Sequence, residues 1–286
     1  EPALILGGAD FNAPAPGDSG ESQLSSSAEQ LVFAPLDGTV EEAIEIARIL
    51  NLPRDRVLIG QEADEGRVKK VSGPRILHLA THGFFLRGPP DMERRHLPRG
   101  AYIEDPMLRS GLALSGANNR HAFEGPNDGV LTALEVAGLD LWGTEVVTLS
   151  ACESGLGEVK NGEGVYGLRR ALVLAGAKTQ VMTLWKVDDN ATRDLMISWY
   201  AQLRQGVGRA EAMRRVQLAA LKGEQLPVIG KHLRSPGVKL AGAGAGTQDK
   251  ALDSRLVGAR HPYYWASFIV SGETGPLSPD KMKAAQ

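Results

Sequence analysis

The chain has 286 residues, 42% hydrophobic and 23% charged, with a formal net charge of −2 and a single cysteine. That is the profile of a folded globular protein. It excludes a basic surface built for nucleic acid, a span of roughly 20 apolar residues that would cross a bilayer, and a disulfide or cysteine-rich zinc scaffold. The opening residues, Glu1-Pro2-Ala3-Leu4, carry neither an initiator Met nor a basic-then-apolar export signal, so the chain reads as an excised piece of a longer cytoplasmic protein.

In chain order, residues 3–9 read as a buried strand and 40–50 as an amphipathic helix opened by Thr39. Residues 56–60 form a short strand, 64–71 a short helix, and 75–82 a strand rich in leucine and β-branched residues. Residues 144–152, TEVVTLSAC, make a near-continuous apolar strand. A helix over 165–175 ends at Gly176, a natural residue for a helix C-terminus. Residues 179–187 form another strand, helices follow at about 190–203 and 209–221, and 263–270 is the last strand. Continuous apolar strands alternating with helices predict a parallel sheet covered on both faces, a three-layer α/β/α sandwich. One domain over 1–272 is expected, with a tail at 273–286 and flexible loops at about 11–30, 87–109 and 235–250, the last holding an AGAGAG tract.

Two strand ends carry the chemistry. Cys152, the only cysteine, ends one strand, and His82, followed by Gly83, ends another. In open parallel sheets, sites form at the carboxyl ends of strands. A thiol needs a base to become a thiolate, and a histidine within hydrogen-bond reach is the usual one. The backbone N–H groups of Gly83 and Cys152 are placed to serve as an oxyanion hole. A buried strand cysteine beside an unrelated histidine would give the same pattern, so position alone leaves both readings open.

The segments ILHLATHGFF, VVTLSACESGLGE, GEGVYGLRRALVLAGA, MTLWKVDDNAT and YYWASFIVSG, with LRSGLALSGAN and DGVLTALEVAGLDL between the two strand ends, resemble the CHAT peptidases, bacterial relatives of caspases and separases. The resemblance runs from about residue 3 to 272. It implies a caspase-like fold and a cysteine endopeptidase in signalling or defence, with Cys152 as nucleophile and His82 as base. It also implies a backbone carbonyl to orient the histidine, a protein substrate, and an upstream tetratricopeptide-repeat region or regulatory partner. No cofactor, metal, nucleic acid or membrane enters this reading.

The loop after the strand MTLWKV borders the site in separase-like enzymes, where it carries an acid for a basic P1 residue. Asp189 is therefore a pocket candidate, although Asp188 and Asp189 also suit a helix N-cap, and Arg193 one turn on could neutralise such a pocket. Glu153 reads as pocket lining or solvent-facing, and Trp185 as pocket wall or core. Gly162–Gly167 matches G-x-G-x-x-G but lies ten residues beyond its strand, too far for a dinucleotide turn. His78 and His82 are spaced i, i+4 on a strand rather than a helix, which argues against zinc and for His78 as a hydrogen-bonded strand residue. The competing functions are a non-catalytic caspase-like scaffold and a nucleotide-binding α/β domain.

Overall fold

The computed structural model describes residues 1–14, 31–85, 106–123, 127–153, 163–185, 189–224 and 261–279. These hold one mixed sheet made of β1 (Leu4–Ala9), β2 (Val57–Gly60), β3 (Ile76–Phe85), β4 (Ser110–Ala113), β5 (Val130–Thr132), β6 (Val146–Glu153), β7 (Thr179–Thr183) and β8 (Phe268–Gly272). The main path runs β2-β1-β3-β6-β7-β8. Its first five strands are parallel and β8 is antiparallel to β7. β4 pairs antiparallel with the carboxyl end of β3, and β5 with β4.

Strand residues alternate between two cores with a period of two. Leu4, Leu6, Leu77, Leu79, Val147, Leu149 and Met182 face one layer, while Ile5, Ile76, Val146 and Val181 face the other. The first layer is closed by α2 (Glu65–Lys69), α3 (Ala133–Ala137) and α4 (Glu163–Leu174). The second is closed by α1 (Asp37–Leu50), α5 (Asp189–Arg204) and α6 (Arg209–Lys222), with Trp199 and Tyr200 fully buried at its centre. The result is the expected three-layer, mostly parallel, caspase-like sandwich. Among the described residues, no helix is long and apolar enough to cross a membrane.

The structure corrects several boundaries. The first helix starts at Asp37 rather than Val40, so Thr39 lies inside it and does not open it; its buried hydroxyl instead accepts the Gly8 N–H at 2.8 Å and donates to the Leu36 carbonyl at 2.7 Å. This turn presses on β1 so closely that a Cβ on Gly7 would lie 2.2 Å from the Thr39 carbonyl oxygen. β3 does not end at His82 but runs on to Phe85, because β4 supplies a second ladder at Gly83, Phe84 and Phe85. The strand expected over 263–270 is in part a helix, α7 (Pro262–Trp265): Pro262 presets the first helical φ and His261 Nδ1 accepts the Tyr263 N–H at 3.2 Å. The strand expected over 179–187 ends at Thr183.

Of the three loops expected to be flexible, 235–250 lies outside the described residues, as do 15–30 and 87–105 of the other two. The remainder is anchored. Phe11 and Ala13 are buried, and 106–108 form a 3-10 turn that leads into the buried Arg109. The described part of the expected tail is docked as well. Arg209 N–H donates to the Gly275 carbonyl at 3.0 Å and Ser278 N–H to Glu145 at 2.7 Å, while the buried Arg209 guanidinium bridges Glu145 and Glu273.

Candidate active site

β3 and β6 are adjacent and parallel, paired in unbroken register from Ile76↔Val146 to Gly83↔Glu153. Within that ladder His82 is the direct partner of Cys152. Adjacent strands lie about 4.8 Å apart, so the two backbones are as close as neighbouring strands allow. The apolar alternation constrains this register: sliding β6 by one residue against β3 would turn Val147 and Leu149 out of the core they share with Leu77 and Leu79. The hydrophobic pattern that builds the sheet thereby also pairs the one cysteine with this histidine.

His82 is buried, with its ring held on two sides. Nε2 lies 2.7 Å from the Ala34 carbonyl oxygen, and the Phe11 and Phe33 rings stand 5.2 and 5.7 Å away, both tilted. A carbonyl only accepts, so Nε2 must carry the proton. In the neutral imidazole Nδ1 is then the basic nitrogen. The phenyl rings wall the imidazole with apolar surface and limit the rotations open to it.

Gly83 is paired on both flanks, to Glu153 of β6 and Leu112 of β4, which fixes the backbone immediately after the histidine. Glu153 is the last residue of β6 and Asp189 the first of α5. Asp188 and the glycine-rich loop after Cys152, up to Gly162, lie outside the described residues. Trp185 stands two residues past β7, half-buried, with Nε1 donating to the Tyr263 carbonyl at 3.0 Å, so it does not fill the core. Arg193 is engaged by Glu41 of α1 at 2.6 Å and by Asp194 at 3.0 Å. Its charge is thus already balanced by partners other than Asp189. His78 is fully buried, with Nδ1 3.2 Å from the Tyr200 hydroxyl and Nε2 3.0 Å from Glu42.

The family model described as CHAT domain matches residues 1–273. The chain belongs to the CHAT domain family. CHAT domains are associated with caspase-like cysteine peptidases, and the match spans every described strand of this CHAT domain. No curated protein matches the chain closely enough to count as a relative.

Residue patterns had not marked the histidine's surroundings. Phe11, Phe33, Ala34 and Asn118 lie far from His82 in sequence and in segments with no regular periodicity. Only LSGAN, which contains Asn118, stood out, and it did so by resemblance alone.

Proposed function

We propose that this CHAT domain is a cysteine endopeptidase acting through a Cys152–His82 dyad on a protein substrate. The observation that supports it best is the register pairing of His82 with Cys152 on adjacent parallel strands, with His82 Nε2 committed to a carbonyl. In this reading Nδ1 takes the thiol proton and the thiolate attacks the peptide carbonyl carbon. Backbone N–H groups would stabilise the negative charge that develops on oxygen, a role given in this reading to Cys152 and Gly83; because Gly83 lies between β4 and β6, its N–H can serve only when that pairing opens to substrate. The imidazolium then protonates the amide nitrogen, the C–N bond breaks and the amine leaves. Water, deprotonated by His82, attacks the thioester, and the thiolate departs as the acid product forms.

The substrate pocket belongs to the same proposal, with Asp189, Glu153 and Trp185 as its lining and Asp189 favouring a basic P1 side chain. The pairing of Arg193 with Glu41 and Asp194 supports this, because it lessens the neutralisation that Arg193 would otherwise impose. Control by an upstream repeat region or a regulatory partner, in bacterial signalling, completes the reading.

The test is a proteome-wide cleavage-site profile that compares wild type with Cys152→Ala and His82→Ala. Both substitutions are expected to abolish cleavage with the fold intact, and the double variant should be barely worse than either alone, since the two act as a unit. The wild-type profile reads the P1 preference directly. Turnover retained by purified Cys152→Ala overturns the mechanism.

A further inference from the structure

His82 is oriented by a carbonyl that belongs to no sheet or helix. Ala34 lies in the irregular stretch 31–36 ahead of α1, where nothing regular fixes the direction of a peptide plane. Yet the Nε2 contact requires that carbonyl to point at the ring within a few tenths of an ångström.

The stretch is fixed from outside by one carboxamide. Asn118 Oδ1 accepts the Phe33 N–H at 2.8 Å and Asn118 Nδ2 donates to the Phe33 carbonyl at 2.9 Å, so both backbone groups of Phe33 end on the same side chain. The Phe33 carbonyl is in the peptide unit that leads into Ala34. Nδ2 also donates to Asn12 Oδ1 at 2.9 Å, and the Asn118 N–H donates to the Phe11 carbonyl at 2.8 Å. Asn118 therefore grips both strands of backbone that wall His82, the one carrying Phe11 and the one carrying Phe33 and Ala34. Its neighbours reinforce the grip. Asn119 Nδ2 donates to the Asn12 carbonyl at 2.7 Å, and the buried Arg120 donates to the Leu31 carbonyl at 3.0 Å. Asn118 itself does not act on the reacting atoms; it acts through residue 33 on the carbonyl that fixes the histidine.

We propose that Asn118 is the positioning residue for His82, its carboxamide clamping the Phe33 backbone so that the Ala34 carbonyl holds the imidazole with the proton on Nε2 and the basic lone pair on Nδ1. Its link to catalysis rests on the reading of His82 as the base, whereas the clamp itself is a statement about the ring's tautomer and is testable separately.

Two readouts separate these. The first is the ring ¹⁵N spectrum of His82, assigned by its loss in His82→Ala and recorded with the imidazole neutral. Wild type is expected to show an Nε2–H tautomer, and Asn118→Ala a mixture, with the two nitrogen shifts drawn towards each other. The second is the rate at which iodoacetamide alkylates Cys152, which is site-specific because the chain has one cysteine. Asn118→Ala should slow it several-fold to tenfold. Asn118→Asp keeps the acceptor for Phe33 N–H and loses the donor; it should fall between, and it serves if the alanine variant does not fold. Gln217→Ala is the control. Its carboxamide likewise donates to two carbonyls, of Trp265 and Phe268, at 3.1 Å, so it should lose stability while leaving the His82 spectrum unchanged. A wild-type tautomer in folded Asn118→Ala and Asn118→Asp overturns the clamp, whatever the activity. A mixed tautomer in a protein whose Cys152 reacts no faster than its His82→Ala variant upholds the clamp and sinks the dyad instead.

Discussion

A histidine serves as a base only through the nitrogen without a proton, and in this chain the Ala34 carbonyl makes that choice. The ring is then confined by Phe11 and Phe33. Behind them, the turn that carries Asn118 depends on Gly116, which has φ +86° and whose added Cβ would meet Phe123 Cζ at 2.3 Å. Gly116→Ala should therefore lower stability by about 1–3 kcal/mol through left-handed strain, and by more if Phe123 cannot move. Its urea midpoint should fall without change in slope, and an unchanged midpoint would mean that the turn tolerates a side chain. At this scale the sequence singles out the pair proposed to react and not the histidine's setting. Cys152 closes one recognisable apolar run and His82 lies within another, followed by a glycine, which is a local signal. Ala34 and Asn118 matter through contacts that span 48 and 85 residues, carried by a backbone carbonyl and a carboxamide, and no spacing rule registers those.

Between the elements, the layer opposite α4 is joined by a fully buried polar chain. Glu42 of α1 lies 3.0 Å from His78 Nε2 on β3, His78 Nδ1 lies 3.2 Å from the Tyr200 hydroxyl on α5, and that hydroxyl is 2.9 Å from Thr148 Oγ1 on β6. Removing the hydroxyl in Tyr200→Phe leaves His78 and Thr148, both fully buried, each short of a partner. A loss of about 1–3 kcal/mol is expected. Because the chain sits four residues back along β3 from His82, iodoacetamide alkylation of Cys152 should be unaffected, and a slowed reaction would show that the two are coupled. The parallel strands and long helices were legible because each has a periodic apolar face. β4, β5 and α3 were not: β4 and β5 form because β3 offers an edge past His82, a cause distant in sequence that no apolar period records. The aromatic run Tyr263-Tyr264-Trp265 favours a strand on propensity, but Pro262 and the His261 cap override it.

For the molecule as a whole, two buried carboxylates pull stability in opposite directions with pH. Burial acts to raise the Glu145 carboxyl, but the Ser278 N–H, Arg75 and Arg209 outweigh it and hold it below the usual range. Its contribution is therefore present above the ordinary carboxylate value and is lost as pH falls through the lowered one. Glu65 behaves the other way. It is 1% exposed, its Oε2 accepts the Gly129 N–H at 3.0 Å, and burial pushes its carboxyl from 4.5 to about 7, with Lys69 offsetting only part of the cost. A raised carboxyl stabilises the fold most fully below 4.5 and ceases to do so as pH rises through about 7. Asp128, also raised by burial, works in the same direction. Stability should thus decline from pH 5 to pH 8, with Glu65 contributing on the order of 3 kcal/mol at about 1.4 kcal/mol per pKa unit. Glu65→Gln keeps an acceptor for Gly129 N–H but cannot ionise, so urea unfolding of this variant should lose most of that decline and gain on wild type at pH 8. A slope between pH 5 and pH 8 that is the same in both proteins would assign the pH dependence elsewhere. The effect reaches towards the site, because Gly129 packs against Ser115 and Ala117, so closely that a Cβ on it would lie 2.6 Å from the Ala117 nitrogen. The backbone that Glu65 anchors is therefore the support of the turn that presents Asn118.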